Sequence, residues 1–319
     1  MSIKIDQKLK PFSHRFGARC VVLKSRIVVE IFPALIRIQG IEFPIQITGP
    51  VKEFTVQMDL ERECIFIWMI AKEGYFRFKI HADQEIILTV IRSPKNGVQI
   101  GSNRLMPKHS IVLCKSETTL QASTSERLFL GSWKDQDWDL IQRRSDLKEI
   151  LPILFSLGQK IPYLEKGHGG TVDLMDKSLL KCYMASFTDF LIPHLTDQMH
   201  QGIVLEREEK GDPMSLFSIF YEKMKQSILI ERKNEVEIFS DFIEQFPSGK
   251  ATHLKVLDGE IHLEWSKHFL RKMIFQPTVS GNAVFIFPKK IQRFRGPVKK
   301  NESLFYEAGK KYIFDRFQK

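Results

Sequence analysis

The sequence predicts an α+β multidomain protein: an antiparallel β-sandwich, a short helical region of about four or five helices, and a C-terminal β-sandwich. Three observations carry this expectation. Hydrophobic residues alternate with period two from residue 18 to about 115, adopt a helical period from about 132 to 230, and return to period two from about 235.

The first region, residues 1–130, contains the short β-type runs CVVLK, IVVEIF, ALIRI and EIILTVI. Within VKEFTVQMD, Phe54, Val56 and Met58 alternate against polar neighbours, which gives a strand one buried face. The breaks at Gly49-Pro50, Lys72-Glu73-Gly74 and Pro94-Lys95-Asn96-Gly97 are turn signals. In the second region, 131–232, Ser132 with Asp135 three residues on resembles a capping box, and Leu140, Leu147, Leu151 and Leu154 form one apolar stripe. Two further helical patterns follow at about 173–192 and 213–229. The third region, 233–298, returns to strands, with a hairpin at Asp258-Gly259 joining HLKVL to IHLEW. Residues 299–319 read as a basic tail.

Bulk properties exclude several classes. A chain of 319 residues with 43% hydrophobic content buries a large core. The opening residues lack the apolar run of a secretory leader, and the longest apolar run, Ile65 to Ala71, is too short to cross a bilayer. The expectation is a soluble, cytoplasmic protein with no membrane partner. Cys20, Cys64, Cys114 and Cys182 are scattered without metal spacing, so free thiols are expected, with no metal and no cofactor. The formal charge of +10 is concentrated late in the chain: residues 289–319 hold ten Lys or Arg against three Asp or Glu. Lys289, Lys290, Arg293, Arg295, Lys299 and Lys300 are therefore the candidate contacts for an acidic partner or nucleic acid.

The stretch GSWKDQDWDLIQRRSDLKE, residues 131–149, holds the densest chemistry. An inverting glycosidase needs two carboxyl groups roughly 6.5–9.5 Å apart, and residues four apart on a helix meet that spacing. Asp135, Asp139 and Asp146 are thus the catalytic candidates. Trp133 and Trp138 offer flat apolar faces to a sugar ring, with Asp137, Arg143 and Arg144 as polar contacts. Asp197 and His200 are further candidates for the same cleft, whereas His194 and His200, six apart, share no helix face and predict no zinc site. The competing reading is an ordinary charged helix, in which Asp139 pairs Arg143 and the acidic first turn complements the helix dipole.

Residues 234–275 resemble the C-terminal β-sandwich of α/α-barrel glycoside hydrolases of the fucosidase type. The matching positions are Val236 to Phe239, Phe246-Pro247-Ser248-Gly249, Leu254 to Leu257, Gly259, and Ile261 to Trp265 followed by Leu270. Asp241, Phe242 and Ile243 depart from the Leu-Pro-rich character of that family. The resemblance implies a carbohydrate connection, but about 100 residues cannot hold the family's barrel of about a dozen helices. The expected protein is a reduced, non-catalytic relative that binds an oligosaccharide or polysaccharide between the helical middle and the N-terminal β domain; if it is an enzyme, it is a glycoside hydrolase. The alternative is a scaffold or interaction protein acting through its basic tail.

Overall fold

The computed structural model describes residues 4–9, 18–116, 126–131, 136–137, 147–161, 213–239 and 246–319. Its described parts belong to two compact units: the first is drawn from residues 1–122, 134–146 and 160–219, the second from 123–133, 147–159 and 220–319. Strands, numbered in chain order, dominate both.

In the first unit, one sheet runs in the spatial order β12 (Ser110–Lys115), β9 (Glu85–Arg92), β8 (Gly74–Ala82), β7 (Cys64–Ala71), β6 (Glu53–Asp59), β1 (Lys4–Leu9) and β14 (Gln136–Asp137). A second sheet runs β11 (Asn103–Leu105), β10 (Val98–Ile100), β5 (Ile41–Gln46), β4 (Leu35–Ile38), β3 (Val28–Phe32) and β2 (Ala18–Val21). Period-two alternation buries one face of each sheet. Phe54, Val56 and Met58 on β6 lie beside Ile65, Ile67 and Met69 on β7 and Phe76, Phe78 and Ile80 on β8, while Val29, Ile31, Ile36 and Ile38 serve the second sheet. Near the β2–β3 turn, Glu63 accepts hydrogen bonds from Lys160 Nζ at 2.6 Å and from Lys24, a cluster of one carboxylate and two lysines.

In the second unit, one sheet runs β13 (Arg127–Phe129), β17 (Gly249–Val256), β18 (Gly259–Ser266), β19 (Phe269–Pro277), β23 (Tyr312–Gln318) and β21 (Arg293–Arg295). The other runs β15 (Leu229–Arg232), β16 (Glu235–Ile238), β20 (Gly281–Ile286) and β22 (Ser303–Tyr306). Aromatic rings join the sheets: Phe275 meets Phe285 edge-on at 5.3 Å and Tyr306 at 5.1 Å, and Phe314 lies 5.5 Å from Phe285. Each such pair adds about 0.5–1.5 kcal/mol beyond its buried area. The helix α1 (Leu147–Gly158) is buried all round from Leu151 to Gly158, as expected of a helix apolar on every face. A second helix, α2 (Pro213–Ile228), carries Tyr221, whose ring lies 5.1 Å from Phe155 of α1.

Glu126, 2% exposed, ties this unit together. Its carboxylate accepts from Tyr221 Oη at 2.6 Å, Lys225 Nζ at 2.8 Å and the Lys255 amide at 2.8 Å, while its backbone exchanges two bonds with the Gln159 side-chain amide. The carboxylate is fully used, which is the condition for burying it. Burial, and then the Glu126 charge, push the Tyr221 phenol well above its ordinary pKa and keep it a donor.

The architecture corrects the predicted fold class. Among the described residues there are two helices and four sheets, so this is a β-rich, sandwich-like protein rather than an α+β chain with four or five helices. The helix expected from Ser132 does not run through Asp137: Gln136–Asp137 is extended and pairs in parallel with Ile5 and Asp6 of β1. An edge strand's open amides and carbonyls outweigh a helical preference over so short a segment. The pattern at about 173–192 lies outside the described residues. The expected basic tail is also corrected, because it contains β22 and β23. Leu304, Tyr306, Tyr312, Phe314 and Phe317 are buried there, and the intervening charges conceal their alternation.

The hairpin expected at Asp258-Gly259 is displaced by one residue. Leu257 and Asp258 occupy its two turn positions with φ of 49° each, the left-handed pair of a type I′ turn. Gly259 instead opens β18, where a Cβ would lie 2.7 Å from the Gln276 carbonyl oxygen.

Candidate functional site

The stretch expected to form the site is largely outside the described residues: Trp133, Asp135, Trp138, Asp139, Arg143, Arg144, Asp146, Asp197 and His200 all fall there. Asp137 lies on β14, opposite Asp6 of β1.

Among the described residues, polar chemistry converges at one end of the first unit. Two adjoining clefts share Glu73 and Pro94. One, of about 380 Å³, is lined by Glu73, Tyr75, Arg92 and Ser93. The other, of about 460 Å³, is lined by Gln46, Lys95, Asn96, Gln99 and Arg104 among others.

Register explains how these residues meet. Gln46 of β5 pairs with Gln99 of β10, and Gln99 pairs with Arg104 of β11, so two amides and a guanidinium stand in one row on one face of the sheet. Arg104 is fixed there by donating through Nε at 3.0 Å and through a terminal nitrogen at 2.8 Å to the Asn96 carbonyl. That bond also holds the Pro94–Gly97 turn, which the Gly97 amide closes by donating to the Pro94 carbonyl at 2.9 Å. Gly97 is required: its φ is +73°, and a Cβ would lie 2.5 Å from the Leu105 carbonyl oxygen.

On the other side, Glu73 sits in the tight turn between β7 and β8 and accepts from both the amide and the hydroxyl of Thr48. The Thr48 hydroxyl holds the Glu73 carboxyl below its usual range, so it is an anionic acceptor at neutral pH. The Arg92 guanidinium lies 5.9 Å from the Tyr75 ring centroid, a cation–π contact at the cleft wall. The lining thus offers one fixed acceptor, two amides, an aromatic ring and the cations Arg92, Lys95 and Arg104.

The second unit holds a different cluster. One potential metal-ligating atom from each of His253, Glu260 and His262 lies within 4.8 Å of the other two. The register that brings His253 opposite His262 is set by a bulge that leaves no compositional mark. Glu260 and His262 at i and i+2 share a strand face, the one signal in the sequence that could have pointed here.

The polyanion candidates lie within the folded second unit. Arg295 forms a two-point pair with Asp315, and Lys300 donates to the Ile291 carbonyl at 2.6 Å. Lys289, Arg293 and Lys299 are exposed, and Lys290 is half-buried. Cys20 and Cys64 are buried free thiols, pushed up to about 12 and about 11 by burial. No helix among the described residues is long and apolar enough to cross a membrane. Comparison with protein-family models, curated proteins and solved structures finds no match for the chain.

Proposed function

We propose that the protein is a glycan-binding β-sandwich protein and that the cleft around Glu73 and Pro94 takes the sugar. The observation that carries this reading is the row Gln46, Gln99 and Arg104 in one cleft, joined through Glu73 and Pro94 to a second cleft lined by Tyr75. Sugar hydroxyls need donors and acceptors already fixed by their neighbours, together with an aromatic face for the C–H surface of the ring. The guanidinium of Arg104 and the carboxylate of Glu73 meet the first need, and Tyr75 the second. The likeness of residues 234–275 to the sandwich of fucosidase-type enzymes adds support.

The reading is binding without hydrolysis. Glycoside cleavage needs two carboxyl groups flanking the bond, and Glu73 is the single carboxylate among the lining residues. Three cations against one carboxylate favour oligosaccharides that carry uronic acids over neutral ones.

The test is calorimetric titration of the full chain with neutral and uronate-containing oligosaccharides. Saturable binding is expected, tightest for the uronates, weakened about tenfold or more by Tyr75→Ala and by Gln99→Ala, each worth roughly 1.4 kcal/mol. A panel in which nothing binds, or binding that both variants retain in full, would sink the proposal.

A further inference from the structure

His253 and His262 come together because β17 does not keep step with β18. Ala251 pairs with Leu263 and Leu254 pairs with Ile261, so Thr252 and His253 together oppose the single residue His262. This is a β-bulge, a device that re-aims a side chain. His253 takes φ of +58° in it, the left-handed region, which is a sparsely used conformation for a residue with a side chain. In regular pairing, one of the two bulge residues would have no place on the open face. With the bulge, the two imidazoles meet edge-on with ring centroids 4.7 Å apart.

Glu260 completes the group. It shares the outer face of β18 with His262, and its Oε2 lies 2.7 Å from His253 Nδ1. All three side chains are half-buried, so solvent reaches them while their neighbours limit their rotamers. Ile274 of β19 stands opposite His262, and Ile313 of β23 stands opposite Ile274, giving the cluster an apolar flank.

We propose that His253, Glu260 and His262 form a binding site for a divalent late first-row transition metal ion such as zinc. Two imidazoles and a carboxylate are a donor set suited to these ions, and they leave at least one coordination position open. Bonds of about 2.0–2.2 Å place tetrahedral ligands about 3.3 Å apart. The three donor atoms already lie within 4.8 Å of one another, close to that spacing. Binding replaces the hydrogen bond between His253 Nδ1 and the Glu260 carboxylate: as the ion takes Nδ1 the ring proton sits on Nε2, and the carboxylate oxygen turns to the metal, with no net change in protons.

The surroundings act in both directions. Lys250 and Lys311 lie near the imidazoles and oppose a cation, while in the β17–β18 register Lys255 stands opposite Glu260 and Glu264 opposite Lys250. The net effect is a site that discriminates against weakly coordinating calcium and magnesium, whose hard oxygen shells it does not supply. This inference is independent of the glycan cleft.

The experiment is titration of the metal-free full chain with Zn²⁺, paired with Co²⁺ loading read by visible absorption. One equivalent of Zn²⁺ is expected to bind, and Co²⁺ is expected to give the d–d bands of a four- or five-coordinate nitrogen–oxygen site. His262→Ala and His253→Ala should each weaken binding by roughly 100-fold, and Glu260→Gln by at least about 10-fold. His262→Asn, which keeps a polar side chain at the position, serves as a second variant should the alanine lower stability. Absence of saturable Zn²⁺ binding at millimolar concentration overturns the proposal. So does unchanged stoichiometry in the folded His253→Ala/His262→Ala double variant.

Discussion

Two carboxylates show how residue-scale electrostatics anchor this protein. Glu126 is 2% exposed and has three donors, so removing it leaves a half-buried phenol, an ammonium and an amide without their acceptor. Glu126→Ala is expected to cost about 3–5 kcal/mol in chemical denaturation, because breaking one side of a buried pair strands the other. Lys225→Met, which keeps the stem and removes the charge, should cost less, since the Tyr221 and Lys255 bonds remain. Glu63 is only partly enclosed. Burial raises its carboxyl, but the bonds from Lys160 and Lys24 outweigh that and leave it below 4.5. A depressed carboxyl contributes stability above its unfolded value and loses it as pH falls through the folded value. As pH falls through and below the ordinary carboxylate range, Glu63→Gln should therefore flatten the fall in melting temperature that the parent chain shows.

Among elements, β23 carries the clearest consequence. It lies between β19 and β21 and contributes Phe314, 0% exposed, to the aromatic core. Deleting residues 289–319 removes that interior strand together with β21 and β22, so it should abolish cooperative unfolding of the second unit rather than strip a dispensable extension. Differential scanning calorimetry of the truncated chain checks this, and a second-unit transition that survives unchanged would contradict it. The same strand shows where sequence reading stops. Strands such as β6 and β8 were legible because polar residues alternate cleanly with Phe54, Val56, Phe76 and Phe78. In β23, Asp315 and Arg316 interrupt the alternation and Arg316 takes φ of 52°, so Phe314 and Phe317 are three apart yet both buried. The Pro94–Gly97 turn was legible from its residue types, but the row Gln46, Gln99 and Arg104 depends on pairing between distant strands and was not. The His253–His262 pair was hidden for the same reason, since one extra residue in a strand changes which face a side chain takes.

At the scale of the whole molecule, the chain contributes to each unit in separate stretches, so neither unit corresponds to a contiguous fragment. A cut at residue 130 or 232 severs strands and helices from the sheets they complete. The pairing of β13 with β17 has the same character: a three-residue strand finds its partner far along the chain. Long-range pairing of this kind slows folding, because the loop must close before the contact forms. Glu126 and the Lys255 amide that caps it are separated by 129 residues. At about 5–20 residues per second, synthesis takes on the order of ten seconds to bring that amide into existence after the carboxylate has emerged. For that interval water has to supply the donor that the Lys255 amide later provides, so complete burial of the Glu126 carboxylate waits for the last third of the chain.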